Sequence, residues 1–315
     1  DGKLIYNGSP RKTAESLVKT ENPLVYGLPS SVRIYEGCKK DITFETDCPL
    51  TVKEGRKWIA SLNIKGESYV SQDKHYETGD TAVSVKNVFF RYTKNSANVL
   101  ENISFDIEKG RITALLGSNG AGKTTMFKLL AGLIQPTSGD MTFFEGRKTP
   151  QEARKKISFM IENPYLDLGM TAAQNMNMLA ILYDAEPKNV EKLLKLVGLG
   201  KTGKKKVKNF SLGMKQRLGI AMALLKNPEM IILDEPMNGL DPSGIVSMRK
   251  LLENLCVKNK ITIVISSHIL SELELLVDVV YLIQNGKIID KKRREELIDG
   301  KVNLEKYYME KMGEE

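Results

Sequence analysis

Three short runs of mainly apolar residues predict buried strands at Ile112–Leu116, Met230–Leu233 and Ile261–Ile265. Strands of a parallel sheet are covered on both faces, so they are apolar along nearly their whole length. Apolar residues recur at helical spacing in Ala172–Tyr183 and Val190–Val197. Strands that alternate with helices along a chain favour an α/β fold with a mostly parallel sheet.

A glycine-rich loop separates the first apolar run from a helical pattern at Thr125–Leu130. In this context the spacing G-x-x-x-x-G-K-T indicates a phosphate site, because glycines let successive backbone N–H groups surround phosphate oxygens. Lys123 is expected to reach the β- and γ-phosphates of ATP, and Thr124 to offer its hydroxyl to Mg²⁺. The predicted nucleotide-binding residues of the loop are Gly117, Ser118, Asn119, Gly120, Ala121, Gly122, Lys123 and Thr124.

Two acids and a histidine follow the other two apolar runs. Asp234 and Glu235 come directly after the second run, where a buried strand would meet its ligand. Asp234 is suited to hold Mg²⁺, and Glu235 to polarise the water that attacks the γ-phosphate. His268 lies just beyond the third run and is expected to contact the γ-phosphate. Glu235, His268 and Lys123 are therefore the predicted catalytic residues.

Taken in order, these motifs resemble the nucleotide-binding domain of ATP-binding cassette (ABC) transporters, over roughly residues 81–300. In that family the signature loop of one cassette caps the γ-phosphate bound by another, so two domains sandwich two ATP molecules. Hydrolysis then moves the membrane subunits. The resemblance implies an ATP-hydrolysing subunit whose partners are a second ABC ATPase domain, in a homo- or heterodimer, and membrane-spanning permease subunits.

The resemblance also implies roles for five residues outside the glycine loop at 117–124. Tyr92 matches the aromatic residue that stacks on adenine, and Thr125 ends the phosphate-loop motif. Ser211 and Gly213 match the signature loop, and Asp241 matches the acid of the D-loop. All five residues are therefore predicted to contact the nucleotide, with Ser211 serving a different active site from Lys123.

Two departures from the family pattern suggest a branch. The signature runs Phe-Ser-Leu-Gly-Met at 210–214 instead of Leu-Ser-Gly-Gly-Gln. Glu162 occupies the position where most relatives have a glutamine that contacts Mg²⁺ and signals to the membrane subunits. A carboxylate there alters the electrostatics near the metal and the phosphates. Together these features look like the branch that protects bacteria against bacitracin and lantibiotics.

The fold implied is an α/β P-loop NTPase core with a mostly parallel sheet, a small antiparallel β subdomain around residues 83–107 and a helical subdomain at 165–225. The domain prediction is a small loop-rich N-terminal region at 1–80, an ABC ATPase domain at 81–300 and a C-terminal tail at 301–315. The helical subdomain would present the signature and contact the membrane partner.

The N-terminal region contains an internal similarity. Asp1–Tyr6 echoes Asn285–Asp290, and each segment has the pattern of a tight turn followed by a strand. This echo predicts that residues 1–80 are the tail of a preceding ABC module, as in tandem energy-coupling importers for vitamins or metal ions. It favours import, whereas Glu162 and the signature variant favour export, and the sequence leaves both directions open.

Charge and hydropathy limit the remaining alternatives. The formal net charge is +8, and much of it lies in Lys201–Lys208 and Lys291–Arg294. Solvated surface is the simplest explanation, followed by a cytosolic face near anionic lipid. These lysines are not interleaved with aromatic residues that could stack on bases, so we expect no nucleic-acid partner. The apolar runs are too short to cross a bilayer, which predicts a peripheral protein at the cytoplasmic face of the cell membrane.

Two other protein classes compete with a transporter subunit. A soluble ABC ATPase of the chromosome type would insert a coiled coil before the signature, yet only 88 positions separate Lys123 from Ser211, without sustained heptads. Ribosome-associated members usually carry two complete cassettes, and only one is whole here. A P-loop kinase or GTPase would not need the signature together with the histidine. The transporter interpretation is therefore favoured.

Overall fold

The computed structural model describes residues 9–19, 32, 35, 47–61, 80–146, 150–161, 164–300 and 302–313. The chain divides into two compact units, residues 1–74 and 75–315, which are described separately. The hairpin predicted at Asp1–Tyr6 and the predicted metal contact Glu162 lie outside the described residues.

The first unit contains the helices α1 (Pro10–Lys19) and α2 (Val52–Ser61). Arg11 connects α1 to the segment before α2, because its Nη1 donates to the carbonyl of Cys48 at 2.6 Å. The rings of Tyr35 and Trp58 lie 5.1 Å apart. These rings belong to a small buried cluster that stabilises the unit and consists of Ala14, Val32, Tyr35, Cys48 and Trp58.

The strands of the second unit are, in chain order, β1 (Thr81–Phe90), β2 (Leu100–Glu108), β3 (Ile112–Leu116), β4 (Ser138–Phe143), β5 (Ile157–Met160), β6 (Met230–Leu233), β7 (Thr262–Ile265), β8 (Val279–Gln284) and β9 (Lys287–Arg293). Its helices are α3 (Lys123–Leu130), α4 (Pro150–Lys155), α5 (Ala172–Leu182), α6 (Pro187–Leu196), α7 (Leu212–Leu224), α8 (Pro242–Val257), α9 (Leu270–Leu276), α10 (Arg294–Asp299) and α11 (Leu304–Met312).

The central sheet has the order β5-β6-β7-β3-β8-β9. Each neighbouring pair is parallel except the antiparallel hairpin of β8 and β9. Strands β3, β6 and β7 are buried at every position, as expected for a sheet that is covered on both faces. The predicted α/β fold with a mostly parallel sheet is therefore confirmed.

A second, antiparallel sheet has the order β2-β1-β4. Strands β1 and β2 confirm the small antiparallel sheet predicted around residues 83–107. Strand β4 was not anticipated, because it lies at the edge of the sheet and its residues are exposed or half-buried. Such a strand lacks the alternation of apolar and polar residues that reveals a strand in sequence.

Helices α5, α6 and α7 form the predicted helical subdomain. Thr171 begins α5 with a capping box, in which its hydroxyl accepts from the backbone N–H of Gln174. Helix α6 begins earlier than its apolar spacing indicates, because Pro187 is favourable in the first turn. Ser211 caps α7, since its Oγ accepts from the N–H of Met214 at 3.3 Å.

The end of the second unit packs back onto the central core. Leu304 and Tyr307 of α11 are buried in that core. The N–H of Leu304 donates to Glu274 Oε2 at 2.9 Å, which fixes the start of α11 against α9. Among the described residues, none of the helices combines the length and apolar character that crossing a bilayer requires.

Candidate nucleotide-binding site

The glycine loop connects β3 to α3 and passes close to strand β8. A Cβ atom at Gly117 would lie 2.2 Å from the carbonyl oxygen of Ile283, so only glycine fits there without displacing the backbone. Gly122 is the N-cap of α3 and has a φ of 111°, which glycine adopts without strain. These two positions explain why the loop can follow its tight path over the end of the sheet.

Lys123 lies inside this loop. Its Nζ donates to the carbonyl oxygens of Gly117 at 2.7 Å and Ser118 at 3.1 Å. Burial lowers the pKa of the Lys123 ammonium, and the nearby carboxylates of Glu235 and Asp234 partly offset this effect. The ammonium is therefore already positioned at the loop, where an anionic phosphate would stabilise its charge.

Asp234 extends from the end of β6 to the start of α3. Thr124 Oγ1 donates to Asp234 Oδ2 at 2.9 Å. A hydroxyl and a carboxylate are oxygen ligands of the kind that Mg²⁺ prefers. Within the described part of the chain, no cluster of three histidine, cysteine, aspartate or glutamate side chains is placed to hold a metal. An oxygen pair of this kind suits a Mg²⁺ ion, which usually keeps several waters and also binds substrate phosphates.

Glu235 and His268 meet beside Asp234. The backbone N–H of His268 donates to Glu235 Oε2 at 3.2 Å. His268 Nε2 also lies 3.2 Å from Glu235 Oε1, although without the alignment of a hydrogen bond. Burial raises the pKa of Glu235, whereas the neighbouring His268 lowers it. Glu235 has a φ of 52°, a backbone conformation that costs a non-glycine residue energy and often occurs at functional sites.

A cavity of about 290 Å³ brings these groups together. Its walls come from the glycine loop, the start of α3, the end of β6 and the segment after β7. The lining residues are Val99, Asn119, Gly120, Gly122, Lys123, Thr124, Thr125, Asp234, Glu235 and His268. The cavity therefore combines backbone N–H donors, one ammonium group, two carboxylates and an imidazole, which is the chemistry of a nucleotide phosphate site.

Comparisons with known proteins agree with this geometry. A family model described as ABC transporter matches residues 100–238. The chain is 43% identical over 226 residues to the lantibiotic transport ATP-binding protein SrtF of Streptococcus pyogenes, covering 72% of this chain and 95% of that protein. The chain belongs to the ABC transporter family. It is an ATP-binding subunit, and it hydrolyses ATP to power transport.

Other relatives of this ABC subunit extend the comparison. The bacitracin transport ATP-binding protein BcrA of Bacillus licheniformis is 46% identical over 198 residues, which are 62% of this chain and 65% of that protein. The solved structure of cbiO1 from Clostridium perfringens, part of the ABC transporter complex cbiONQ, has a TM-score of 0.64 and 29% identity, covering 71% of this chain and 92% of that one. A dimeric ATP-binding cassette, MJ0796, was solved with ADP and Pi bound. It has a TM-score of 0.59 and 25% identity, covering 67% of this chain and 98% of that one.

Tyr92 lies at the edge of the ABC site. Its hydroxyl is 3.2 Å from Thr125 Oγ1, and its ring packs edge-on against Phe90 with the centroids 4.9 Å apart. Tyr92 is 58% exposed, so its ring is accessible to a flat ligand group. Within the glycine loop, the backbone N–H of Ala121 donates to the carbonyl oxygen of Ser118 at 3.2 Å and stabilises the turn.

Seven predicted nucleotide contacts of the ABC subunit do not line this cavity: Gly117, Ser118 and Ala121 of the glycine loop, Tyr92 beside it, and Ser211, Gly213 and Asp241. Ser211 and Gly213 lie at the start of α7, and Asp241 is the N-cap residue of α8. A Cβ at Gly213 would lie 3.6 Å from Leu240, which places the two segments side by side. The structure therefore separates the predicted site residues into a group around the glycine loop and a group at the starts of α7 and α8.

Ser266 is a site residue that the sequence analysis missed. It follows β7 and is fully buried. Its Oγ donates to Asp234 Oδ1 at 2.5 Å and accepts from the backbone N–H of Glu235 at 3.0 Å. The available signal was a serine directly after an apolar run, two positions before His268, but its partners depend on which strands are neighbours.

Lys123→Ala tests the phosphate site. The substitution removes the one ammonium group in the cavity lining, so we expect ATP to bind about 10- to 100-fold more weakly, the range for hydrogen bonds to charged groups. Lys128→Ala, on the same helix but outside the lining, is the matched control. The measurement is equilibrium titration of both variants with a fluorescent ATP analogue. Unchanged affinity in the Lys123 variant would contradict the site.

Proposed function

We propose that this ABC subunit binds MgATP in the cavity at the glycine loop and hydrolyses it with Glu235 as the general base. The observation that carries the proposal is the convergence of Lys123, Asp234, Glu235 and His268 on one cavity. Thr124 and Asp234 would hold Mg²⁺, which when bound neutralises charge that develops on the phosphates. Lys123, whose ammonium already contacts the loop carbonyls, would bind the phosphates.

Glu235 is suited to accept a proton from the attacking water. Its raised pKa makes the carboxylate more basic than an exposed glutamate, and a base with a pKa nearer to the working pH transfers protons more effectively. Oε1 makes no aligned hydrogen bond among the described residues, and His268 Nε2 lies 3.2 Å from it. The N–H of His268 holds Oε2, so the carboxylate keeps one orientation.

A second cassette would complete the site. Ser211, Gly213 and Asp241 lie outside the cavity, and in a head-to-tail pair they would face the nucleotide of the other copy. The dimeric MJ0796 cassette supports this arrangement by analogy. Each ATP would then lie between the glycine loop of one domain and the signature loop of the other, in a homo- or heterodimer.

The membrane partner has a candidate docking surface, which we call the apolar groove. This cavity of about 490 Å³ lies between β5 and the helices α5 and α7. Tyr165, Met178 and Tyr183 line it and are exposed although they are large and apolar or aromatic, which is typical of interaction sites. We propose that a cytoplasmic segment of the permease binds there and holds the protein at the cytoplasmic face of the cell membrane. Glu162 falls in sequence between Ile161 and Pro164, which both line the groove.

We further propose that transport is export that protects the cell against peptide antibiotics. Relatives named for lantibiotic and bacitracin transport are 43% and 46% identical, whereas the cbiO1 component is 29% identical. Co-expression of this protein with its permease subunits in a sensitive host is expected to raise the inhibitory concentration of bacitracin or a lantibiotic. The same pair carrying Glu235→Gln serves as control, and equal sensitivity of both strains would contradict the substrate class.

Glu235→Gln tests the assignment of the base. The amide keeps the shape of the side chain but cannot accept a proton, so we expect turnover to fall about 10²- to 10⁴-fold while ATP binding is retained. Steady-state phosphate release and nucleotide titration measure the two quantities separately. Turnover close to that of the native protein would remove Glu235 from the mechanism.

Met178→Glu tests the apolar groove. A carboxylate buried against an apolar partner segment is unfavourable, so we expect at least about tenfold weaker association with the permease. Met309→Glu is a matched control, because Met309 has similar exposure, 41% against 45%, and lies on α11 outside the groove. Association is measured by titration of the detergent-solubilised permease. Equal effects of the two variants would argue against docking at this surface.

A further inference from the structure

Ser266 connects the two acids of the site through a single hydroxyl. Its side chain is fully buried at the end of β7, and its backbone N–H donates to the carbonyl of Leu233 at 3.0 Å. This bond holds the end of β7 against the end of β6. The hydroxyl then donates its proton to Asp234 and accepts the N–H of Glu235.

The first contact sets the orientation of the Asp234 carboxylate. Oδ1 is engaged by Ser266 at 2.5 Å, whereas Oδ2 is engaged by Thr124 at 2.9 Å. A carboxylate with one oxygen fixed on the protein side can present only the other oxygen to the phosphate loop. Groups that orient a metal ligand in this way influence metal affinity although they never contact the metal.

The second contact holds the backbone of Glu235. At a φ of 52° this residue is in a conformation that persists only when surrounding interactions impose it. The bond from its N–H to Ser266 is such an interaction. Because the direction of the Glu235 side chain follows from its backbone, the bond also helps to place the carboxylate beside His268.

We propose that Ser266 is a positioning residue for MgATP hydrolysis, which orients Asp234 toward the metal and Glu235 toward the water through one shared hydroxyl. The inference rests on the function proposed above for these two acids. Ser266 itself does not line the cavity, so it acts through its partners and contacts neither nucleotide nor metal. Its role is therefore distinct from that of His268, which lines the cavity two positions later.

Thr262 provides a matched control on the same strand. It is also fully buried, and its Oγ1 accepts from the backbone N–H of Gly110 at 3.0 Å. Thr262 lies at the opposite end of β7 from the site. Both Ser266→Ala and Thr262→Val remove a buried hydroxyl and leave one N–H unpaired, so both are expected to lower the melting temperature. Any change in Mg²⁺ dependence or turnover that Ser266→Ala shows and Thr262→Val does not is therefore assigned to the positioning of Asp234 and Glu235.

The experiment compares Ser266→Ala, Thr262→Val and the native protein below their lowest melting temperature. Binding of mant-ATP is measured with EDTA and then during a Mg²⁺ titration, and ATPase rates give kcat and KM. For Ser266→Ala we expect affinity in EDTA within about twofold of native, a Mg²⁺ requirement about tenfold higher, and kcat about 10- to 100-fold lower with little change in KM. For Thr262→Val we expect native values of all four quantities.

Ser266→Cys gives a second test in case the alanine variant does not fold. The thiol nearly preserves side-chain volume but donates weakly, so we expect the same direction of change with intact stability. Native-like Mg²⁺ dependence and kcat in Ser266→Cys, or in a folded Ser266→Ala protein, would overturn the inference. Should Glu235→Gln retain native turnover, the proposed function itself would fail. Loss of turnover in Glu235→Gln with native-like Ser266 variants would reject only the positioning role.

Discussion

Strand β7 lies between β3 and β6, and the three strands run in the same direction. Their carboxyl ends therefore meet at one edge of the sheet, where ligands bind in open α/β folds. The glycine loop follows β3, the two acids follow β6, and Ser266 and His268 follow β7. The glycine loop and the acids, which are more than a hundred residues apart in sequence, thus form one site with the segment after β7 because of strand pairing. The register of β6 and β7, in which Leu233 pairs with Ile265, places Asp234 beside Ser266.

Charge balance explains how this edge remains stable. Burial disfavours the charged forms of the Glu235 carboxyl group and the Lys123 ammonium. The protein compensates with short hydrogen bonds, from Lys123 to the loop carbonyls and to Asp234 from Thr124 and Ser266. A bound nucleotide would replace the carbonyl partners of Lys123 with phosphate oxygens and so exchange neutral acceptors for charged ones. The cavity is thus organised for an anion at the loop, with two acids in the same lining.

Sequence predicts the parts of this protein that depend on local pattern. The loop at 117–124 and the strands β3 and β6 follow from glycine spacing and apolar runs, so both fold and central site could be anticipated. Ser266 could not, because its partners follow from strand order and register. The nucleotide contacts predicted for Ser211, Gly213 and Asp241 and the metal contact of Glu162 stay predictions, because they require a second cassette or lie outside the described residues. The interpretation of residues 1–80 also stays a prediction.

The apolar groove and the nucleotide cavity share structural elements, which bears on how transport and hydrolysis are connected. Met160 lines the groove, and its carbonyl accepts the backbone N–H of Asp234 at 2.9 Å. Helix α7 packs directly against the same residue. A Cβ at Gly219 of α7 would lie 2.8 Å from Met160 Sδ and 2.6 Å from Pro164. The end of β5 therefore contacts both Asp234 and helix α7. A partner segment that displaces this strand end would act on Asp234 and on α7 together, through one hydrogen bond and one close packing contact. In the proposed dimer these two elements belong to different nucleotide sites.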